Sequence, residues 1–309
     1  MKRIIWFGAL LLSLSFIGYK SVKVSANKTV NTEVFPRKMV HFIPYNANPV
    51  FTGTYADTWD KEIRERGYIL FEDGLYKMWY TGYNPEKSET KYLGYATSSD
   101  GINWIRYSEN PIFKEKWTED MFVIKDKGKY YMYAEGKNDI AHLLTSQDGI
   151  HWNEEGDLTI KKANGEIIPG PYGTPTVWIE NDKWYLFYER NDEAIWLAES
   201  ADHKNWINIQ DSPVIKKGPG KYDAGAVAAN QVVKYKGRYY LYYHASSTPM
   251  ESAVEWTSNV AMSKDLIHWF KYSKNPIVEG DHSSPILVYN GNDYRLYTMH
   301  SQVWLYFSK

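Results

Sequence analysis

Short segments in which apolar or aromatic residues alternate with polar ones recur along this chain. The fullest copy, "KYLGYATSSDGINW" at 91–104, runs into a Ser-x-Asp turn and a tryptophan, and weaker copies follow as "HLLTSQDGIHW", "WLAESADHKNW" and "VAMSKDLIHW". A period of two predicts half-buried β-strands. The serines of these turns are Ser98, Ser146, Ser200 and Ser263, and Ser308 follows a fifth segment, "VWLYF".

The spacing of these serines, 45 to 63 residues, indicates five repeats of one unit. Each unit has an aromatic strand upstream, such as "GKYYMYAEG", and most have a Pro-containing strand downstream, such as "NPIF". Four short strands per repeat at this period predict an all-β fold, a five-bladed β-propeller of four-stranded blades. A sandwich built from a twofold repeat is the competing architecture.

The fifth unit stops after its third strand. A segment at the other end of the chain, "NANPVF" at 46–51, is similar to the strand segments "SENPIF" and "SKNPIV". The sequence therefore predicts that the N-terminal strand closes the ring, which removes the exposed sheet edges of a linear array.

The repeated Ser-x-Asp motif has a structural explanation. Ser and Asp side chains bond to turn backbone, here between strands three and four, and the tryptophan is expected to pack between blades. Four copies of one turn are expected in a repeat protein, whereas four copies of one active site are not.

The N-terminus has the features of a signal peptide. Lys2 and Arg3 precede an apolar run at 4–18, and Val24-Ser25-Ala26 has the small residues of a cleavage site. We expect a signal peptide at 1–26 and a single propeller domain at 27–309, exported to the periplasm or secreted. An uncleaved membrane anchor is the alternative, although the apolar run is short for a bilayer.

Composition narrows the classes of function. The absence of cysteine excludes disulfides, a thiol nucleophile and thiolate metal sites. Four of the 36 Lys and Arg residues lie within 1–26, so 32 remain against 37 Asp and Glu, a net charge of about −5 that does not favour nucleic acid. Aromatic residues make up 17% of the chain, and such rings stack on sugars. We expect a carbohydrate partner, no membrane span after cleavage, and a monomer.

In a propeller, the loops that lead into strand one and those that leave strand two open on the same face, where function is expected. Alignment of the repeats on their turn residues makes Asp60 and Asp223 equivalent in the loops before strand one. It also defines two levels of matched positions. Those ending strand two are Thr81, Glu135, Glu189, His244 and Met299, and those in strand one are Arg66, Asp120, Thr174, Ala229 and Ser284.

Carboxylates from several blades that face one aromatic-lined pocket suit glycosidic bond cleavage, because one acid protonates the leaving oxygen while another activates water or attacks. The alternative is that these are solvated charges at loop edges. The candidate acids are Asp60, Glu65, Asp120, Glu135, Glu189 and Asp223.

Substrate contacts are expected from the same loops. Trp59, Trp117, Tyr172 and Tyr222 are candidate stacking walls or, alternatively, core residues. Arg64, Glu65 and Arg66 are either ligand contacts or a local ion-pair network. The polar substrate-binding candidates are Arg64, Arg66, Glu119, Arg190, His244 and His300.

The units "YKMWYTG...LGYATSSDGINW", "EDMFVIKDKGKYYMYAEG" and "DKWYLFYER...IWLAES" resemble the five-bladed propeller glycosidases of the arabinanase, β-xylosidase and invertase superfamily, glycoside hydrolase families 43, 32, 117 and 130. The resemblance covers residues 41–309, and its Ser-x-Asp-x-x-x-Trp and Gly-x-Tyr-Tyr motifs identify the fold better than the activity.

The resemblance implies acidic residues at the start of strand one in blades one, two and three. Glu119 and Asp120 match in blade two, and Asp60 or Glu65 in blade one. Blade three departs, because "PYGTPTVW" has no acid there, so either Glu189 has taken the role or the chain has its own arrangement. Asp120 and Glu189 are the favoured catalytic pair for this reason.

These observations predict an exported glycoside hydrolase acting on a plant or algal glycan. A non-catalytic glycan-binding propeller is one alternative. A phosphorylase similar to family 130 is another, since that family holds phosphate with basic residues, although Arg64, Arg66 and Arg190 would bind carboxylate or sulfate equally well. No cofactor is expected, apart from a possible structural cation such as calcium in the axial channel.

Overall fold

Five β-sheets follow one another along the chain, and each contains one of the sequence repeats. The computed structural model describes residues 34–249 and 255–309, so the predicted signal peptide and its boundary lie outside the described residues. Residues 35–309 form one compact unit. The N-terminal segment supplies α1 (Arg37–Val40), β1 (Phe42–Pro44) and β2 (Phe51–Thr52).

The first three blades follow in chain order. Blade one contains β3 (Glu62–Ile63), β4 (Tyr68–Glu72), β5 (Leu75–Asn84), β6 (Ser88–Ser98) and β7 (Ile105–Arg106). Blade two contains β8 (Glu119–Asp126), β9 (Lys129–Glu135), β10 (Ala141–Ser146) and β11 (Trp152–Asp157). Blade three contains β12 (Thr159–Lys161), β13 (Gly173–Glu180), β14 (Lys183–Glu189), β15 (Ala194–Ser200), β16 (Asn205–Asn208) and β17 (Ile215–Lys216).

A 3-10 turn (Lys221–Asp223) leads into the last two blades. Blade four contains β18 (Ala226–Tyr235), β19 (Arg238–Ser246), β20 (Trp256–Ser263) and β21 (Trp269–Lys271), and blade five contains β22 (Pro285–Tyr289), β23 (Tyr294–Met299) and β24 (Gln302–Ser308). The all-β five-bladed propeller is thereby confirmed. No helix in the described ranges is long and apolar enough to span a membrane.

The N-terminal segment completes blade five, as predicted. Strand β1 pairs antiparallel with β24, and β2 pairs with the beginning of the same strand. The closing fourth strand is therefore 42–44, just upstream of the predicted segment at 46–51. The predicted segment comes after this strand and folds back onto the start of β24. The Asn-Pro motif likewise follows the fourth strand in the other blades that carry it.

The asparagine of this motif follows the fourth strand of its blade, and its side chain bonds to the backbone of the third strand. The Asn48 side chain donates to the carbonyl of Leu305 at 2.9 Å and accepts from its N–H at 2.8 Å. Asn110 makes the same pair of bonds with Tyr95, and Asn275 does so with a residue of β20. The sequence similarity of the two chain ends thus reflects one repeated contact.

The Ser-x-Asp motif builds the turn between strands three and four. Ser98 Oγ accepts from the N–H of Gly101, and Asp100 Oδ1 accepts from two further backbone N–H groups, each bond being 2.8 Å. The same pattern recurs at the other three turns. The predicted structural role of the motif is confirmed.

Each repeated tryptophan packs between blades, as predicted, and its contact is with strand two of the preceding blade. The centroids of the rings lie 5.9 to 6.3 Å apart, at steep angles typical of edge-to-face packing. The pairs are Trp104 with Tyr297, Trp152 with Trp79, Trp206 with Tyr133, and Trp269 with Phe187.

Candidate active site

A β-bulge begins the inner strand of several blades. Arg66, Asp120, Thr174 and Ser284 have φ between 46° and 56°, a left-handed backbone that non-glycine residues adopt rarely. The strand register slips beside Asp120 and beside Thr174. These are four of the five positions that the repeat alignment puts at one level. Bulges and unusual φ values concentrate next to functional sites because they re-aim side chains.

A cavity of about 150 Å³ opens at this level. It brings together six of the predicted residues from blades one to four: Arg64, Glu65, Asp120, Glu135, Glu189 and His244. Six carboxylates of the described residues line it, because Asp139 and Asp192 join the four predicted acids. The remaining lining residues are Pro171, Thr174, Asn191 and Trp256.

Glu135 and Glu189 approach each other beside Gly173. The N–H of Thr174 donates to Glu135 Oε1, and the N–H of Asp192 donates to Glu189 Oε2 at 2.5 Å. A Cβ atom added to Gly173 would lie 1.6 Å from Glu189 Oε1 and 3.2 Å from Glu135 Oε1. The lack of a side chain at this point of blade three therefore makes room for both carboxylates.

We expect Gly173→Ala to lower the turnover number by about tenfold or more without removing any carboxyl group, because the new methyl group displaces Glu189. Activity and thermal unfolding should be measured together. Gly165→Ala is a useful comparison, since no heavy atom lies near its Cβ position and only its positive φ of 88° makes alanine unfavourable there, so it separates a loss of stability from a loss of activity. Full activity in Gly173→Ala would contradict this account of the blade-three geometry.

Burial and crowding raise the pKa values of the carboxyl groups in the cavity. Burial and the charges of Glu65 and Glu119 raise the pKa of Asp120 well above its usual range. Burial raises the pKa of Glu135 likewise, with Asp120 and Glu189 adding to it. Burial and the neighbouring Asp192 raise the pKa of Glu189 to about 8. Protons are therefore retained in this cluster at neutral pH.

Arg66 is buried beneath the cavity, 1% exposed, and joins three blades. Its guanidinium donates to the backbone carbonyl of Asp120 at 2.5 Å, to that of Pro175 at 3.1 Å, and to Thr176 Oγ1 at 2.8 Å. Burial lowers the pKa of Arg66, and the charges of the carboxylates above it oppose this. Arg66 is a structural cation under the carboxylates and does not line the cavity.

Arg64 lines the cavity but is held by acidic neighbours. Its Nε pairs with Glu119, and its Nη2 lies 3.7 Å from Glu65. Glu119 also accepts a hydrogen bond of 2.6 Å from the indole N–H of Trp117. Burial raises the pKa of Glu119, and Arg64 opposes this. The predicted ion-pair network around Arg64 and Glu65 is present, and Glu119 belongs to it.

Blade four supplies an imidazole and an indole to the cavity. Burial lowers the pKa of His244 to about 3, so its ring is neutral. Its Nδ1 lies 3.1 Å from Oδ1 of Asn230, which leaves Nε2 as an acceptor. Trp256 packs edge-on against this ring at 5.1 Å. His300 lies outside the cavity lining, between Glu65 at 3.7 Å and Asp281 at 3.5 Å.

Two candidate acids, Asp60 and Asp223, are held in ion pairs outside the cavity lining. Asp60 pairs with Arg106 at 2.8 Å and accepts from the hydroxyl of Tyr80 at 3.1 Å. Asp223 is fully buried in an ion pair with Lys271. Each aspartate therefore anchors the loop before strand one to the fourth strand of its own blade, and neither lines the cavity. Their equivalence in the repeat alignment reflects this shared structural role.

The other predicted contacts lie away from the cavity lining. Trp59 stacks on Tyr80 at 5.8 Å, and Tyr222 lies 3.3 Å from Asn275 through its hydroxyl group. Tyr172 is buried, and the Arg190 guanidinium lies 5.8 Å from the ring of Trp196. Trp117 lines a neighbouring groove. Trp59, Tyr172 and Tyr222 therefore fit the alternative that they are core residues better than that of stacking walls.

Asp139, Asp192 and Trp256 line the cavity but are not among the residues predicted from the sequence. Asp139 and Asp192 lie in the loops that leave strand two of their blades, shortly after Glu135 and Glu189. The same rule that selected the glutamates, applied to the whole loop, would have found both aspartates. Trp256 begins β20, a third strand, which that rule does not cover.

No group of three or more His, Asp or Glu side chains within 34–249 and 255–309 is arranged to hold a metal ion. The axial cation therefore stays a prediction.

The comparisons with known proteins agree with this fold. The family model "Glycosyl hydrolases family 32 N-terminal domain" matches residues 23–169. A 1,2-beta-oligomannan phosphorylase of Thermoanaerobacter sp. (strain X514) is 27% identical over 215 residues, which cover 64% of this chain and 69% of that protein.

Two solved structures share the fold over most of both chains. The beta-1,2-mannobiose phosphorylase from Listeria innocua superposes with a TM-score of 0.67 at 16% identity, covering 86% of this chain and 96% of its own. The second has a TM-score of 0.66 at 16% identity and covers 88% and 95%. Its description states that the family 130 mannoside phosphorylases contain glycoside hydrolases that target beta-1,2 mannosidic linkages in Candida mannan. The predicted resemblance to five-bladed propeller glycosidases is confirmed.

Proposed function

We propose that this chain, a divergent propeller of the glycosidase superfamily that includes families 32 and 130, hydrolyses β-1,2-mannosidic bonds. The observation that carries this proposal is the cavity itself, in which six carboxylates of the described residues meet and both nearby arginines are bound by protein groups. The substrate class comes from the relatives, whose descriptions name β-1,2-linked mannosides. Export stays a prediction.

The charges favour water over phosphate as the acceptor. Phosphate in proteins is bound by cationic donors that are free to point at it. Arg64 is engaged by Glu119 and Glu65, and the Nη atoms of Arg66 donate to protein oxygens below the cavity. A single carboxylate 4 Å from a phosphate charge costs about 4 kcal/mol at an effective dielectric constant of 20. The one carboxylate that the cluster leaves ionised is therefore enough to disfavour a phosphate ion in this cavity.

The pKa shifts suggest which carboxyl group acts as the general acid and which as the general base. Asp120, with its pKa raised well above the usual range, holds a proton, and its Oδ1 has no hydrogen-bond partner within the described residues. We assign it the role of general acid, which gives its proton to the glycosidic oxygen as the bond to the anomeric carbon breaks.

The pair of Glu135 and Glu189 supplies the base. Two crowded carboxyl groups do not both ionise readily, so the pair shares a proton and offers one carboxylate. We assign this role to Glu189, whose raised pKa of about 8 makes it a stronger base than an ordinary glutamate. Glu189 removes a proton from a water molecule while the water oxygen bonds to the anomeric carbon, so one water is consumed for each bond cleaved.

The remaining residues suit recognition of one terminal sugar. The cavity volume of about 150 Å³ is below the range of about 300 to 1,000 Å³ that is usual for pockets holding drug-sized ligands. His244 is neutral and offers Nε2 to a hydroxyl group, and Trp256 offers a ring face or edge beside it. This arrangement supports removal of single units from a chain end.

Incubation with β-1,2-mannobiose in the presence and absence of inorganic phosphate tests the proposal. We expect free mannose at the same rate in both conditions, measured by chromatography of the products. Formation of mannose 1-phosphate that requires phosphate would establish phosphorolysis instead. Binding of the disaccharide without any product over long times would favour the glycan-binding alternative.

A further inference from the structure

A groove of about 570 Å³ lies between blades one and two. We propose that it binds further neutral sugar units of the glycan whose terminal unit occupies the cavity. The inference rests on the proposed function, because it takes the same glycan as its ligand. It makes the groove a determinant of chain-length preference.

The groove and the cavity are separated by the loop that joins β9 to β10. Glu135 and Asp139 face the cavity, whereas their neighbours Gly136, Lys137 and Ile140 line the groove. Trp117 lines the other side of the groove and bonds to Glu119, the partner of Arg64 in the cavity wall. A chain that leaves the cavity across this loop enters the groove directly.

The surface of the groove has the chemistry of a sugar platform. The half-buried ring of Trp117 is held by its N–H bond to Glu119 and by the ammonium of Lys91, which lies 5.4 Å from it. Ile140 is 42% exposed and lines the groove beside Gly136 and Lys137. Aromatic rings pack on the apolar faces of sugars, while the polar edge of the ring remains hydrogen-bonded.

The charges of the groove favour a neutral ligand. Lys116 is neutralised by Glu154 at 2.9 Å and by Asp157 at 2.6 Å. Lys137 and Glu89 add one charge of each sign to the lining. The groove therefore offers hydrogen-bonding groups without a net field that would select an anionic glycan.

The test compares rates for β-1,2-linked mannose oligomers of two to six units. We expect kcat/KM of the wild-type protein to rise about tenfold from the disaccharide to the longer oligomers. Ile140→Asp should abolish this rise, because the added charge lies where the further sugar units pack. Ile167→Asp is the matched control, since Ile167 is an exposed isoleucine of blade three that does not line the groove. Equal kcat/KM values for all lengths in the wild type, or an unchanged rise in Ile140→Asp, would overturn the inference.

Failure of the proposed function is distinguished by a binding measurement. If no oligomer is cleaved, calorimetric titration with the six-unit oligomer still separates wild type from Ile140→Asp. Affinity that increases with length and is lost only in Ile140→Asp supports the groove, and equal affinities in the two proteins overturn it.

Discussion

Glu189→Gln is expected to lower the turnover number by about 10²- to 10⁴-fold, the usual contribution of a general acid or base. Glutamine has nearly the same shape, and its side-chain oxygen still accepts from the N–H of Asp192, so the fold is retained. Steady-state rates with a β-1,2-mannoside and a thermal unfolding curve are the measurements. Asp120→Asn should behave alike, since asparagine tolerates the left-handed φ of 48° at this position.

The pH dependence identifies the role of Glu189. A base must be ionised, so kcat/KM should be low at acidic pH and rise as pH passes through about 8. Asp192→Asn removes the neighbouring charge that contributes most to the raised pKa of Glu189, so it should lower this pKa and move the rise to lower pH. Gly165→Ala, on the surface, should leave the profile in place. Wild-type rates in Glu189→Gln, or an activity that falls through pH 8, would contradict the assignment.

Arg66→Met is expected to destabilise the protein by about 3 to 5 kcal/mol, the usual cost of removing one partner from a buried charged cluster. The methionine leaves the carbonyl groups of Asp120 and Pro175 without their donor, and three acidic groups without the cation below them. A loss of this size lowers the melting temperature by at least about 6 °C in a domain of this kind. Calorimetry or far-UV circular dichroism measures it.

The loss should also depend on pH. Carboxyl groups with raised pKa values bind more protons in the native state than in the unfolded one, so stability falls as pH rises from the unfolded pKa of about 4.3 towards 8. Without Arg66 this fall becomes steeper, and the variant should be closest to wild type near pH 5. Arg190→Met is the control, since the Arg190 guanidinium lies 5.8 Å from the ring of Trp196 and forms no ion pair within the described residues. Equal melting temperatures for Arg66→Met and wild type would show that the buried cation is dispensable.

The candidate acids could be selected from the sequence, but the sequence did not show which of them line the cavity and which form ion pairs elsewhere. Asp60 and Glu65 lie in one acid-rich loop, and only Glu65 reaches the cavity. The difference is made by Arg106, a residue of β7 that captures Asp60 from 46 positions away. Aromatic residues show the same limit, since Trp59 and Tyr222 are packed by tyrosines of strand two that no local pattern identifies as their partners.

The sequence by itself determined the repeat: five units, four strands in each, the Ser-x-Asp turn, and closure of the ring by the N-terminal segment. These features depend on contacts within one repeat or with its neighbour, so they recur as periodic patterns along the chain. The tertiary structure alone decided which acids face one another. Glu135 and Glu189 meet beside Gly173 over a buried Arg66, and their pKa values depend on distances between blades. Such electrostatic interactions follow separation in space, which a linear pattern does not specify.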